Sequence, residues 1–337
     1  MNPTILAIES SCDETSASVI RNGQVLSNIV ATQAIHEQYG GVVPELASRA
    51  HQQNIIPVVA QALQTANIEK SALDAVAFTR GPGLLGALLV GCSFAKSFAL
   101  GLNLPLIEVN HMQAHILAHF IDDPKPNFPF LCLTVSGGHT QIVLVRSHLD
   151  MEVLGQTTDD AVGEAFDKSA KLLGLPYPGG PLLDKMATTG NPDKFTFPIV
   201  NMDGYDYSFS GIKTSILNFV KKNAAAEPDF VQNNLADICA SIQKALIQTL
   251  MKKLVLAAKE QGVKEIAIAG GVSANTGLRQ TLQDYAQRYH WNVYLPAFEY
   301  CTDNAAMIAM AAHYQYLAGD FTTQYASPDP RLKFSKF

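Results

Sequence analysis

The sequence predicts an α/β protein built as two lobes. Its 337 residues are enough for two domains or two lobes of one enzyme, and the apolar share of 47% allows a large buried core. Apolar strand candidates alternate with helical stretches, and a strand, polar turn, strand pattern occurs at residues 4–20 and returns at 130–145. This repeat indicates a weak internal duplication at domain scale, although two unrelated hairpins give the same pattern.

The first half reads as strands and helices in alternation. Residues 4–8 and 16–20 are apolar strand candidates, and Asn22-Gly23 after them is a hairpin signal. The remaining predicted elements of this half are a helix at 44–66, a strand at 75–79, a helix at about 84–100, and a strand at 106–109 leading into a histidine-bearing helix.

A linker candidate separates this half from the next. Residues 122–127, with the sequence DDPKPN, combine charge with two prolines. The lobes are therefore expected at residues 1–121 and 128–304, with about 305–337 completing the first. The predicted elements of the second half are strands at 130–135, 140–145 and 265–269, and helices at about 229–261 and 276–290.

Three histidines stand four residues apart: His111, His115 and His119. Residues at this spacing share one face of a helix, so two imidazoles can bind one metal ion and leave coordination positions open. A half-buried helix face that carries histidines by chance is the alternative, and for a single His-x-x-x-His pair it is the better one. Three glycine-rich turns after apolar strands favour instead a metal-bearing nucleotide cleft.

Several polar turns are ambiguous when taken alone. The turn at 9–15 packs hydroxyls and carboxylates and suits phosphate, water or a divalent ion, with Asp13 a possible general base or metal orienter. An ordinary hairpin tip is the better interpretation of this turn when it is taken alone. The glycines of 136–139 either form a nest of N–H groups for an anion or serve a tight turn. Asp303 suits a helix N-cap as well as the oxygen ligand of a His-His-Asp site.

Composition excludes some classes of protein. The formal charge of −6 excludes a whole-protein basic field that attracts nucleic acid. The five scattered cysteines contain no Cys-x-x-Cys pair, which is typical of a reduced cytoplasmic protein. No signal peptide is expected from the N-terminal residues, and Lys96 and several glycines interrupt the best membrane-span candidate, at 81–104.

Ten motifs, taken together and in order, resemble a known family. The chain is similar to the tRNA N6-adenosine threonylcarbamoyltransferases of the bacterial TsaD type from about residue 4 to residue 315. The motifs are AIESSCDET (7–15), GGVVPELASR (40–49), GPGLLGAL (81–88), NHMQAHILAH (110–119), VSGGHT (135–140), GEAFDK (163–168), YPGGP (177–181), SFSGIKT (208–214), AGGVSAN (269–275) and CTDN (301–304).

The resemblance implies a fold and a reaction. The fold is the two-lobed one of the actin, heat-shock-ATPase and sugar-kinase (ASKHA) superfamily, with a nucleotide cleft between the lobes. The reaction transfers threonylcarbamoyl from threonylcarbamoyl-adenylate to N6 of the adenosine just 3′ of the anticodon, in tRNAs reading codons that begin with A, with release of AMP.

The resemblance also implies site residues. His111, His115 and Asp303 match the metal ligands of the family, for which iron(II) is expected and zinc is the alternative, whereas His119 is interpreted as structural. The positions that match the donor-phosphate loop are Thr134, Val135, Ser136, Gly137 and Gly138. Those that match the ribose and adenine contacts are Asp167, Gly180, Asp184 and Asn275.

The implied partners are tRNA, a non-catalytic paralogue of the TsaB type and a small ATPase of the TsaE type, in the cytoplasm and without a membrane. A small-molecule kinase or ATPase of the same superfamily is the alternative function. A metalloprotease is rejected, because Met112 stands where the zincin motif needs glutamate. A non-catalytic paralogue is disfavoured, because all three metal-ligand positions are retained.

Overall fold

The computed structural model describes residues 2–33, 36 and 39–334. The chain divides into two compact units. Unit 1 comprises Met1–Lys125, Arg146–Met151 and Pro296–Phe337, and unit 2 comprises Pro126–Val145 and Glu152–Leu295. Residues 296–304, which the sequence analysis assigns to the second lobe, group with unit 1.

The described residues form ten strands and ten α-helices. The strands are β1 (Thr4–Glu9), β2 (Thr15–Arg21), β3 (Gln24–Ala31), β4 (Ala75–Gly81), β5 (Leu106–Asn110), β6 (Phe130–Val135), β7 (Thr140–Ser147), β8 (Asp150–Gln156), β9 (Glu265–Ala269) and β10 (Asn292–Tyr294). The helices are α1 (Pro44–Ala66), α2 (Leu85–Leu102), α3 (His111–Leu117), α4 (Val162–Leu172), α5 (Gly179–Ala187), α6 (Ser210–Ala226), α7 (Phe230–Asn233), α8 (Leu235–Gln261), α9 (Thr276–Tyr289) and α10 (Ala305–Ala318).

Unit 1 is built on a five-stranded mixed sheet. Its order is β3-β2-β1-β4-β5, with β1–β2 and β2–β3 antiparallel and β1–β4 and β4–β5 parallel. The predicted hairpin turn is present, with φ of 51° at Asn22 and 76° at Gly23, as a two-residue turn with two positive φ angles requires. Helices α1 and α2 pack on the strands, and α10 packs against β1, β2 and β3.

Unit 2 repeats this strand arrangement. Its sheet has the order β10-β9-β6-β7-β8, with β6–β7 antiparallel and β6–β9 and β9–β10 parallel. In each sheet the first strand of a hairpin, β1 or β6, therefore also pairs with a parallel strand, β4 or β9. One or more helices lie between the two parallel strands in the sequence. The core of this unit lies between the sheet and helices α4, α5, α6 and α8. The internal duplication expected from the two hairpins is thus present in the topology.

Two element predictions need correction. The helix expected over 229–261 is interrupted at Asn234, where φ is −122°, so α7 and α8 are separate. The strands β3, β8 and β10 were not predicted. All three are outer strands with half-exposed residues, so their apolar pattern is weak.

One helix among the described residues, α2, is long and apolar enough to cross a membrane by length and composition. A core helix of a soluble protein passes the same test. Ala87, Leu88, Cys92, Ala95 and Ala99 of α2 are buried in this structure, and the last three belong to the core cluster of unit 1. The hydropathy of α2 is therefore weak evidence of a membrane span.

Candidate active site

The histidine helix α3 begins where β5 ends. Asn110 is the last residue of the strand and the N-cap of the helix, and its side chain accepts hydrogen bonds from the backbone N–H groups of Met112 (2.9 Å) and Gln113 (3.2 Å). These bonds satisfy two donors that a helix start leaves unpaired. His111 and His115 lie one turn apart with ring centroids 4.7 Å apart and ring planes at 87°.

Asp303 meets both histidines from the distant segment before α10. Its Oδ1 lies 3.3 Å from His111 Nε2 and 3.2 Å from His115 Nε2. The N-cap of α10 is Asn304, whose side chain accepts from the N–H of Met307 at 3.1 Å. Of the two interpretations of Asp303, the helix cap is therefore excluded, because its carboxylate is directed to the histidines.

This donor set fits a metal ion. One ligand atom from each of His111, His115 and Asp303 lies within 4.8 Å of the other two, and the two imidazoles are buried. Two neutral imidazole nitrogens and one carboxylate oxygen form a ligand set that suits iron(II) or zinc and leaves coordination positions for a substrate. His119 lies in the following 3-10 turn, Ala118–Phe120, and is not part of this set.

The charges around the donor set are strongly coupled. Burial alone would raise the pKa of Asp303, but His111 and hydrogen bonds from both histidines hold that pKa well below its usual range. Burial alone would lower the pKa of His111, but Asp303 and Glu9 raise it well above its usual value. The pKa of His115 is lowered, chiefly by burial.

Two carboxylates that sequence reasoning did not single out lie in this pocket. Glu9 ends β1, is fully buried, and places Oε2 3.1 Å from His111 Nδ1. Glu14 has its pKa raised to about 9, first by burial and then by the negative charges of Asp303 and Asp13. A charged residue at the end of a mainly apolar strand is a sequence signal that points to Glu9. Asp13, the candidate base, lies half-buried in the same turn and forms a hydrogen bond with Glu14.

In unit 2, the Ser136 turn is organised by its own hydroxyl. Ser136 Oγ accepts from the N–H groups of Gly138 (3.3 Å) and His139 (3.0 Å), and Thr134 and Val135 are buried at the end of β6 before it. Gly137 and Gly138 are not among the glycines with positive φ, so the turn does not need them for that reason. No atom lies within 4 Å of a Cβ built on either glycine, so the two leave open space beside the backbone.

Two of the predicted ribose and adenine residues, Gly180 and Asn275, lie at helix N-termini of unit 2, and the other two contact such termini from neighbouring helices. Asp167 on α4 accepts from the N–H of Gly180 at 2.8 Å, where α5 begins, and burial raises the pKa of Asp167. Asp184 on α5 accepts from the N–H (2.9 Å) and the hydroxyl (2.8 Å) of Thr276, the first residue of α9.

The fourth of these residues, Asn275, is the N-cap of α9. It accepts from the N–H of Leu278 at 2.8 Å and donates to Gln243 Oε1 at 2.9 Å. Gln243 is a buried polar partner that no motif indicated. Asp167 therefore joins the start of α5 to α4, whereas Asp184 and Asn275 join the start of α9 to α5 and α8.

The fold and the donor set define a class of protein: two α/β units with matching sheets, of which one unit carries two buried histidines and a carboxylate. Comparison with known proteins narrows this class. The family model described as TsaD, tRNA N6-adenosine threonylcarbamoyltransferase, matches residues 24–310. The chain belongs to this family, and the resemblance drawn from the ten motifs is confirmed.

Curated relatives match over nearly their whole length. A Cytophaga hutchinsonii protein named tRNA N6-adenosine threonylcarbamoyltransferase is 66% identical over 333 residues, which are 99% of this chain and 97% of that protein. A protein of the same name from Christiangramia forsetii is 62% identical over 98% of both chains. A third, from Porphyromonas gingivalis, is 60% identical over 97% of this chain and 98% of that one.

Solved structures support the fold alone. HypF from T. kodakarensis has a TM-score of 0.64 at 16% identity and covers 95% of this chain and 48% of its own. Component A of the Acidaminococcus fermentans (R)-2-hydroxyglutaryl-CoA dehydratase has a TM-score of 0.54 at 14% identity and covers 94% of this chain and 99% of its own. The expected α/β fold class, with two units of matching strand order, is confirmed.

Proposed function

We propose that this chain transfers the threonylcarbamoyl group of threonylcarbamoyl-adenylate to N6 of the adenosine 3′-adjacent to the anticodon, in tRNAs reading codons that begin with A. The observation that carries the proposal is the family match over residues 24–310, which includes His111, His115 and Asp303. The Asp303 carboxylate lies close to both histidines, as a shared metal ion requires. The N6 nitrogen attacks the carbonyl carbon, the bond from that carbon to the phosphate oxygen breaks, the amine loses one proton, and AMP leaves.

The donor is already activated, so positioning contributes most of the rate. A divalent ion held by His111, His115 and Asp303 would supply Lewis-acid stabilisation of negative charge on the phosphate or carbonyl oxygen. Thr134, Val135, Ser136, Gly137 and Gly138 form the loop that holds the donor phosphate, with backbone N–H groups as donors to developing charge.

The rest of the nucleotide and the proton need their own residues. Asp167, Gly180, Asp184 and Asn275 hold the ribose and adenine of the donor. Asp13 orients the attacking amine or accepts its proton, and its half-buried position in the turn that also carries Glu14 supports this role.

Iron(II) is the proposed native metal, with zinc as the alternative. Both suit two imidazoles and one carboxylate, and neither is distinguished by the donor set alone. Metal analysis of protein purified without chelators, followed by reloading with each ion and an activity assay, separates the two.

The proposed partners are tRNA, a non-catalytic TsaB-type paralogue and a small TsaE-type ATPase, in the cytoplasm. The net charge of −6 supports a tRNA-binding surface shared with partner proteins, because an acidic protein lacks the overall positive charge that attracts RNA.

Single-turnover transfer tests the proposal. Metal-loaded protein, the partners, threonylcarbamoyl-adenylate and unmodified tRNA are mixed, and the modified nucleoside is measured by mass. His111→Ala and Asp303→Ala are expected to lose transfer while remaining folded. His119→Ala is the matched control, since it removes a buried histidine of the same motif outside the donor set, and it is expected to retain transfer.

An active, metal-free His111→Ala/Asp303→Ala double variant contradicts the proposed metal site. No product with competent partners, together with ATP-dependent phosphorylation of a small molecule by the chain alone, would replace the proposal with the kinase alternative.

A further inference from the structure

We propose that Glu9 is a positioning residue of the metal site: its buried carboxylate fixes the His111 ring so that Nε2 is presented to the ion. The inference rests on the metal site proposed above and adds a residue that is not one of its three ligands. Glu9 lies at the end of β1, and none of its surface is exposed. A carboxylate in such a place is costly unless hydrogen bonds and a nearby positive charge compensate it.

The Glu9 carboxylate is itself held firmly. Its Oε1 accepts a hydrogen bond from the backbone N–H of Ser11, and its Oε2 accepts from the Thr79 hydroxyl at 2.6 Å. Oε2 also lies 3.1 Å from Nδ1 of His111. Because β1 and β4 are hydrogen-bonded neighbours in the sheet, Glu9 and Thr79 form a rigid support for the ring.

This contact selects one tautomer of His111. A carboxylate only accepts, so Nδ1 carries the hydrogen and donates it to Glu9. The lone pair of the neutral ring is then on Nε2, which lies 3.3 Å from Asp303 Oδ1, within the donor set. A carboxylate behind a ligating imidazole both orients the ring and raises its basicity.

The two histidines differ in this respect. Among the described residues, His115 Nδ1 is buried and has no hydrogen-bond partner, so no carboxylate supports that ring from its Nδ1 side. Ser11 Oγ lies 3.2 Å from His111 Nδ1 and is the rival acceptor for the same hydrogen. The inference therefore predicts a large effect for Glu9 and a small one for Ser11.

Metal binding without tRNA tests the inference. Zinc affinity is measured by competition with a chromophoric chelator, and cobalt(II) absorption reports the ligand geometry, for the wild-type protein and for Glu9→Gln, Ser11→Ala and His111→Ala. Glu9→Gln keeps the size of the side chain and removes its charge. It is expected to weaken metal binding by about 10–100-fold and to change the cobalt spectrum. Ser11→Ala is expected to stay within about 3-fold of the wild type.

The outcomes separate the two proposals. If the wild type binds no metal, the metal site itself fails. If the wild type binds metal, His111→Ala does not, and a folded Glu9→Gln binds as tightly as the wild type with the same spectrum, only the role of Glu9 is overturned. An equal loss in Ser11→Ala and Glu9→Gln also overturns it. Should Glu9→Gln not fold, Thr79→Val carries the test, because it loosens Oε2 without touching His111, and unchanged metal affinity in that variant rejects the role.

Discussion

At the scale of single residues, the Ser136 turn depends on the missing side chain of Gly163. The N–H of Gly163 donates to Ser136 O at 3.1 Å, and a Cβ on Gly163 would lie 2.5 Å from that oxygen and 2.8 Å from the nitrogen of Gly137. No real Cβ approaches backbone atoms so closely, so the start of α4 and the turn could not both keep their positions with a larger residue there.

Gly163→Ala is therefore expected to displace the turn and weaken binding of the adenylate donor by at least about tenfold, the equivalent of about 1.4 kcal/mol. Isothermal titration with AMP or a non-hydrolysable donor analogue measures this. Gly211→Ala is the matched control, because the nearest atom to its added Cβ is Val200 Cγ2 at 3.6 Å, an ordinary contact. Equal affinity in both variants would show that donor binding does not use this turn.

The residue types of the site were readable from the sequence, but their contacts were not. The four-residue spacing placed His111 and His115 on one face, as α3 shows. Spacing carries no information on whether Asp303 reaches them, since that depends on how the segment before α10 packs. The charged end of the apolar strand β1 is a weak signal for Glu9, and the partners that compensate its buried charge are apparent only in the structure.

At the scale of elements, Glu265 ties together the short parallel strands β9 and β10. It lies on β9, and its carboxylate accepts from the Tyr294 hydroxyl of β10 (2.5 Å) and from the N–H of Asn127 (3.3 Å). Burial alone would raise the pKa of Glu265, but these hydrogen bonds lower it. The pKa of Tyr294 is raised to about 12, by burial and by the hydrogen bond to Glu265.

These shifts predict opposite pH limits for this tie. A lowered carboxyl pKa stabilises the folded state fully above the unfolded value of about 4.3, and the contribution is lost as pH falls through the folded pKa. A raised phenol pKa stabilises the folded state below the unfolded value of about 10, and this stabilisation is lost as the pH rises further. Glu265→Gln is expected to lower the free energy of unfolding by about 1–3 kcal/mol at pH 7, with the difference shrinking below pH 4.

Urea unfolding from pH 2.5 to 7 measures this difference. Glu45→Gln is the control, because Glu45 pairs with Arg49 on the exposed side of α1, and its loss is expected to cost less than about 1 kcal/mol. A Glu265→Gln difference that is constant across the range would contradict the assignment to ionised Glu265.

The elements with strong signals were predicted almost to the residue, as α1 and β9 show. The failures have physical causes. Outer strands such as β3 bury too little of each face for a clear alternation, and the break at Asn234 lies in a stretch whose apolar residues continue the helical pattern on both sides.

At the scale of the whole molecule, unit 1 is made from three separate segments of the chain. The proposed metal would bind two ligands from the first segment and one from the last. Since such an ion binds only the folded unit, it stabilises by mass action, by about 2.7 kcal/mol at a free concentration of 100 Kd.

Chelation is therefore expected to lower the thermal unfolding midpoint by about 5–10 °C, on the scale of about 2–4 °C per kcal/mol for a domain of this size. Calorimetry of metal-loaded protein with and without EDTA measures the shift. Asp303→Ala is expected to show little response to EDTA, and a response as large as that of the wild type would place the stabilising ion elsewhere.

The two similar hairpins in the sequence indicated the duplicated fold. The sequence also indicated that the end of the chain returns to unit 1, but not where this last segment begins. The expected completion of the first lobe began at about 305, and the structure begins this segment at Pro296. This difference decides to which unit Asp303 belongs. No local sequence pattern around residues 296–304 indicates the boundary.

The discontinuous course of unit 1 also sets an order of events on the ribosome. Asp303 follows His115 by 188 positions, and all of unit 2, which ends at Leu295, is synthesised between these two residues. The nascent chain therefore carries its histidines for most of translation without the carboxylate that completes the set. Unit 2 can therefore finish folding before α10, the last helix of unit 1, has been synthesised. The three metal ligands come together only late in synthesis. A chain truncated before residue 303 would have helix α3 with its two histidines but not the complete ligand set.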